Sequence, residues 1–382
     1  MTAAPFPTSP LSRVRWRRPI GARLIVLLLL ATLGCALLPA AAGAGGKQGR
    51  AAKTRKVKPR PLYWGAWIGE QLTGTDAPWD MNAVASFEQI VGKGMSLIEF
   101  SSSWQDCSRN PCRFYKFPTE AMEDVRLHGS IPVFSWGAEA TPSKGPDQAD
   151  FQLADIIAGN YDPYIAQFAT EARDWGHPFF LRFNWEMNGN WFPWSEKANG
   201  NAPGQYVAAW RHVHDIFTAL GAVNATWVWC PYADGGKRKG QPLSQVYPGT
   251  AYVDWTCMDG YNWGSNPVNP QQWRSFAELF DLTYKALTKK IAPDKPVMLG
   301  EFASTPYGGH KALWIKEMFQ QLPHKYPRIR ALIYFNSFDR QVDWPLETSP
   351  NAARAFAFGI HKGIYANNRF GQLATSPIPP LR

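Results

Sequence analysis

From residue 63 onward, short apolar runs recur between longer stretches in which apolar residues return every three or four positions. The runs occupy 63–68, 95–101, 131–136, 179–184, 225–230, 255–260, 297–300 and 331–335. Each has the length of a buried strand, while 119–128, 162–175, 203–220, 273–287 and 311–322 carry the helical period. Pro203 suits a first helical turn and Gly221 a helix stop. Strands alternating with helices predict parallel pairing through right-handed crossovers. Eight such units, at about 38 residues each, close into an α/β fold of the (β/α)8 barrel type. The structural alternative, an open doubly wound sheet, usually announces itself by a glycine-rich turn after the first strand. No G-x-G-x-x-G stands there, and no G-x-x-x-x-G-K-[ST] occurs anywhere.

Charge changes the picture only at the N-terminus. The formal net charge is +10, but 12 of the 40 Lys and Arg lie in residues 1–60, which hold no Asp or Glu. The remaining 28 basic residues face 30 acidic ones, a net of −2, so the body has no basic footprint for nucleic acid. Arg13, Arg15, Arg17, Arg18 and Arg23 precede an uncharged apolar run at 24–38, followed by Ala40-Ala41-Ala42 and Ala42-Gly43-Ala44. Residues 1–43 therefore read as a signal peptide. The alternative is a signal anchor, since 24–46 is uncharged and just long enough to span a bilayer. Cys35 follows Leu33-Gly34 as in a lipid-attachment site, but Thr32 stands where an aliphatic residue is usual. Residues 44–60 are a basic Gly/Ala/Lys linker, 61–365 the barrel and 366–382 a C-terminal tail. An exported protein is expected, secreted or periplasmic, or tethered outside the membrane. The other four cysteines, Cys107, Cys112, Cys230 and Cys257, allow three pairings. Cys107 and Cys112 flank a short turn. Cys230 and Cys257 lie in consecutive strands and can meet, with free buried thiols as the alternative for that pair.

In such barrels the chemistry stands at the C-terminal strand ends. The fourth strand ends Leu181-Arg182-Phe183-Asn184-Trp185-Glu186. Alternation puts Arg182, Asn184 and Glu186 towards the axis and Leu181, Phe183 and Trp185 towards the helices. The seventh ends Val297-Met298-Leu299-Gly300-Glu301, where the same parity groups Val297, Leu299 and Glu301 on one face, with Glu301 the last inward position. The two glutamates are 115 residues apart, three units of about 38, and so face each other across the mouth. Two opposed carboxylates are what glycosidic cleavage needs. Each taken singly could be an ordinary ion pair. Tyr261, next to the seventh strand, can hydrogen-bond Glu301.

Aromatic content points to a sugar. The chain has 18 Trp, and flat rings stack on the C–H faces of pyranoses. Trp67, Trp104, Trp136, Trp191, Trp194 and Tyr232, with Tyr261, Trp263, Tyr307 and Trp344, fall where C-terminal loops are expected. Trp191 and Trp194 follow Glu186 in a loop too polar and turn-rich for a core strand. Other chemistries find little support. None of the seven His ends a predicted strand, His212 and His214 face different ways on a helix, and no G-x-S-x-G is present. The sequon at Asn224-Ala225-Thr226 sits at a strand entrance.

The segment 180–191, Phe-Leu-Arg-Phe-Asn-Trp-Glu-Met-Asn-Gly-Asn-Trp, resembles the acid/base motif of glycoside hydrolase family 26. So do Trp227-Val228-Trp229-Cys230-Pro231, Asp259-Gly260-Tyr261-Asn262-Trp263 and Gly300-Glu301-Phe302. The likeness runs from about residue 63 to 363. It implies a retaining clan-A barrel with no cofactor and no metal, with Glu186 as acid/base and Glu301 as nucleophile, and Arg182 and Tyr261 beside them. Further sugar-binding candidates are Trp136, Trp185, Asn188, Trp191, Trp194 and Trp263. The usual substrate of the resembled family is β-1,4-mannan, with mixed-linkage β-glucan or xylan for some members. Two departures touch the sugar wall: Trp185 stands where the family commonly has His, and the eighth strand ends Tyr334-Phe335-Asn336 without its common Trp. A monomeric endo-β-mannanase-like enzyme is the expectation. The alternatives are a β-glucanase, a tethered exopolysaccharide-processing enzyme and a non-catalytic glycan-binding barrel.

Overall fold

The computed structural model describes residues 59–382 except 234–239. The signal or anchor segment and the linker up to residue 58 lie outside the described residues. No described helix is long and apolar enough to cross a membrane. Eight strands form the barrel: β1 (Tyr63–Ile68), β2 (Leu97–Asp106), β3 (Ile131–Thr141), β4 (Phe179–Phe183), β5 (Ala225–Trp229), β6 (Trp255–Asn262), β7 (Val297–Ser304) and β8 (Ile329–Asn336). Each pairs in parallel with the next, and β1 closes the ring by pairing with both β8 and β2. One two-residue strand, Arg113–Phe114, pairs antiparallel with the end of β2. The Cys107–Cys112 disulfide closes that hairpin.

The helices are α1 (Met81–Val91), α2 (Thr119–Leu127), α3 (Leu153–Ile157), α4 (Asp162–Trp175), α5 (Gln205–Ala219), α6 (Phe276–Ala286), α7 (Lys311–Lys325) and α8 (Pro350–Ile360). Their starts follow local chemistry. Asp80 and Ser349 cap α1 and α8, and Ser275 forms a capping box with Glu278 on α6. Pro203 lies in the turn before α5 and not in its first helical turn. Between β5 and β6 the described residues form only short 3-10 turns, Leu243–Gln245 and Thr250–Tyr252. The sequence pattern showed no helical stretch there either.

Alternation along the strands sorts the core into two parts. Outward residues such as Trp64, Phe134, Leu181 and Leu299 pack under the helices. Inward residues such as Tyr63, Val133, Phe180, Trp255 and Met298 fill the barrel. The segment after 365 does not hang free. Ile378 is buried with the inward set. Its carbonyl accepts from Trp255 Nε1 at 2.8 Å, its N–H donates to Thr226 Oγ1 at 2.9 Å, and Tyr63 donates its hydroxyl to Pro379 O at 3.0 Å. The C-terminus is thus a plug in the floor opposite the strands' C-terminal ends. Ile378→Ala leaves a cavity beneath Trp255 and should cost about 2–5 kcal/mol in urea unfolding. A change below about 0.5 kcal/mol would mean that the plug is only a surface contact.

Candidate active site

β4 ends at Phe183, earlier than its alternation suggests, because Asn184 enters the left-handed region at φ 45°. Asn184 spends its side-chain oxygen on Ala138 N–H at 2.9 Å. Glu186 follows at φ 53°, a rare conformation for this residue type, held by its own N–H to Cys230 O at 2.7 Å. The double turn brings both Trp185 and Glu186 into one cavity of about 290 Å³ at the barrel mouth. Trp185, which alternation sends towards the helices and the family resemblance places among the sugar-binding candidates, lines the cavity. Gly189 has no Cβ to obstruct the Trp191 ring, which would lie 2.5–2.6 Å from one. The ring folds back, and Trp191 Nε1 donates to Glu186 Oε2 at 2.6 Å.

Glu301 reaches the same cavity by a route the parity argument did not foresee. Val297 and Leu299 face outward and Met298 inward, so simple alternation would send Glu301 towards the helices. The β6–β7 register shifts between Met258 and Gly260, whose partners are Leu299 and Phe302. This bulge inserts one residue, so that Phe302 faces outward again and Glu301 faces the cavity. Gly300 makes the bulge possible: a Cβ there would sit 2.6 Å from Asp259 Oδ1 and against both sulfurs of the Cys230–Cys257 disulfide.

Beneath the cavity lies Arg182, fully buried. Its Nη1 donates to Glu301 Oε1 at 3.1 Å and to Ser135 Oγ at 3.0 Å, and pairs with Glu99. Its Nη2 pairs with Asp259 Oδ2 at 2.6 Å. Tyr261 donates its hydroxyl to Glu301 Oε2. Burial, then the charges of Glu301, Glu186 and Asp259, push the Tyr261 pKa well up, so the phenol stays a donor. Burial likewise raises Asp259, against the pull of Arg182. Burial would lower the Arg182 pKa, but the Asp259 and Glu301 charges outweigh it and raise it.

The structure brings together Glu186, Glu301, Trp185, Trp191, Tyr261 and Trp263 around the cavity, with Arg182 below it. Three candidates are placed elsewhere. Trp136 faces outward and stacks on Phe168 at 4.2 Å, because its strand parity is that of Phe134. Trp194 is buried behind the wall, stacked on Phe192 at 4.4 Å and bonded to Trp185 O. Asn188 clamps the Tyr232 backbone through both side-chain atoms, at 2.8 and 2.9 Å. Both Trp194 and Asn188 brace the loop and do not line the cavity. Glu99 and Ser135 went unforeseen, although a lone glutamate in the apolar run 97–100 was a signal. The wall that lacks a Trp on β8 has one from the following loop: Trp344 packs on Tyr261 at 5.1 Å and Trp263 at 5.0 Å. Cys230, Cys257 and Asp259 cluster as metal ligands might, but the sulfurs are bonded to each other and Asp259 is paired with Arg182.

Known proteins resemble the chain in sequence and in fold. The profile described as glycosyl hydrolase family 26 matches residues 65–298. Endoglucanase H of Acetivibrio thermocellus is 31% identical over 306 residues, which are 79% of this chain and 31% of that protein. A mannan endo-1,4-beta-mannosidase of Bacillus subtilis is 23% identical over 154 residues, 38% of this chain and 41% of that protein. The chain thus spans less than half the length of either. A Cellulomonas fimi endo-beta-1,4-mannanase double mutant superposes with a TM-score of 0.59 at 16% identity, over 81% of this chain and 72% of that one, which shows a shared fold.

Proposed function

The chain belongs to glycosyl hydrolase family 26, and from that membership we propose that it is a retaining endo-β-glycanase in which Glu301 is the nucleophile and Glu186 the acid/base. The observation that carries the assignment is the pair of carboxylates, one just after β4 and one at the bulge within β7, lining one aromatic cavity with separate partners. Arg182 and Tyr261 take one Glu301 oxygen each and aim the carboxylate into the cavity. Trp191 fixes the orientation of Glu186. In the first step Glu301 bonds to the anomeric carbon as the glycosidic C–O bond breaks, and Glu186 gives its proton to the leaving oxygen. In the second, Glu186 takes a proton from water, whose oxygen displaces Glu301 and restores the starting configuration.

The substrate proposed first is β-1,4-mannan, as named for the mannosidase relative. A second reading, a β-glucan, is favoured by the higher identity to a protein named endoglucanase. The export reading is supported by two disulfides. The test is incubation with mannan, mixed-linkage β-glucan, xylan and exopolysaccharide, with product chromatography. Oligosaccharides released early from mannan support the first reading, and release from glucan alone supports the second. Binding without product would point to a non-catalytic barrel.

A further inference from the structure

Lys311 is the first residue of α7, where a cation opposes the helix dipole and where lysine is ordinarily solvated. Here it is 3% exposed. Its Nζ donates to three successive carbonyls in the loop between β8 and α8: Asp343 at 3.3 Å, Trp344 at 2.7 Å and Pro345 at 2.7 Å. The Asp343 carboxylate lies 3.9 Å away. Tyr334, from β8, donates its hydroxyl to the same Trp344 carbonyl at 2.7 Å. A buried ammonium is tolerated where its three donors find acceptors, and all three acceptors belong to the tripeptide that carries Trp344. The Trp344 ring in turn packs on Tyr261, the donor to Glu301.

We propose that Lys311 is a positioning residue for sugar binding: its ammonium clamps the backbone of 343–345 and so holds the Trp344 ring in the cavity wall. The sugar-binding part of this proposal rests on the glycanase reading above; the clamp itself does not. Burial lowers the Lys311 pKa from 10.5 to about 8, partly offset by Asp343 and Glu347 of the same loop. Neutral lysine has two donors for three carbonyls, so the clamp weakens as pH rises through about 8. The effect on global stability has the opposite sign. From about pH 8 to 10 the unfolded chain binds more protons at this lysine than the folded one, so this group's contribution to stability rises with pH. Loosening of the loop in that window is therefore not unfolding.

The experiment is amide hydrogen exchange, corrected for its intrinsic pH dependence, over the segment 342–348. It is run from pH 7 to 9.5 on the wild type, Lys311→Met and Lys311→Arg, together with KM and kcat on the best polysaccharide. Exchange in this segment should speed up about tenfold in Lys311→Met at pH 7, and in the wild type above pH 8, with the barrel strands unchanged. Lys311→Arg, charged throughout, should lack the pH effect. KM should rise about tenfold in Lys311→Met with kcat within about twofold, and adding Lys311→Met to Trp344→Ala should change nothing further. Exchange over 342–348 that is no faster in Lys311→Met than in the wild type at pH 7 overturns the clamp, and a wild type without a pH response overturns only its titration near pH 8. Additive KM effects in the double variant overturn its action through Trp344. A wild type that cleaves no polysaccharide would defeat the glycanase reading, while the exchange arm still decides on Lys311.

Discussion

Glu301→Ala should lose at least about 10⁴-fold in kcat on polysaccharide, about 5.5 kcal/mol of barrier, with the fold intact by circular dichroism. The reason is geometric. Glu301 sits on a bulge that only Gly300 permits, with one oxygen on Arg182 and the other on Tyr261. Among the described residues Asp339 is the other carboxylate lining the cavity besides Glu186, and it is Glu301 that Arg182 and Tyr261 bracket. Alanine opens the face beneath the anomeric carbon. Added azide should enter there and, with an activated aryl β-glycoside, yield the α-glycosyl azide. Near-normal hydrolysis by Glu301→Ala, or a β-glycosyl azide from it, would remove Glu301 from the nucleophile's role.

Glu186→Ala should behave differently although the residue lines the same cavity. On polysaccharide, whose leaving oxygen must be protonated, the loss should be about 10²–10⁴-fold. On an aryl glycoside with a good leaving group the first step no longer needs the proton, so the glycosyl-enzyme accumulates and KM falls together with kcat. Azide should now attack that intermediate and give the β-glycosyl azide, the configuration of the substrate. Trp191 holds Glu186 through its indole N–H, and its ring needs Gly189 beneath it. Equal losses on both kinds of substrate would argue that Glu186 is structural.

The barrel was legible because alternation holds over long stretches of the strands. Phe180 and Arg182 face in while Leu181 and Phe183 face out, as the pattern said. Around the cavity the same rule failed, within β7 and just past β4. Glu301 was assigned to the correct cavity on the wrong parity, because the bulge at Gly300 resets the phase of β7. Trp185 was sent outward because nothing in the string of residues marks Asn184 and Glu186 as left-handed. Isolated glycine in a strand is a known sign of a bulge, so Gly300 could have been read that way. Trp136 was taken for a wall residue from its place in the chain, whereas its own parity put it under the helices. The Trp absent from the end of β8 comes instead from Trp344, held by the buried Lys311, a long-range contact that no local pattern encodes. The last residues of the chain read as a tail because their partners, Tyr63, Trp255 and Thr226, lie more than a hundred positions away.

The most direct measurement is mass spectrometry of the enzyme after reaction with a 2-deoxy-2-fluoro glycosyl fluoride, which slows release of a covalent intermediate. The account predicts one added sugar, mapped by peptide sequencing to Glu301 and lost again when an acceptor sugar is supplied. A sugar mapped to Glu186 or to any other residue, or turnover of polysaccharide to products of inverted configuration, would contradict it.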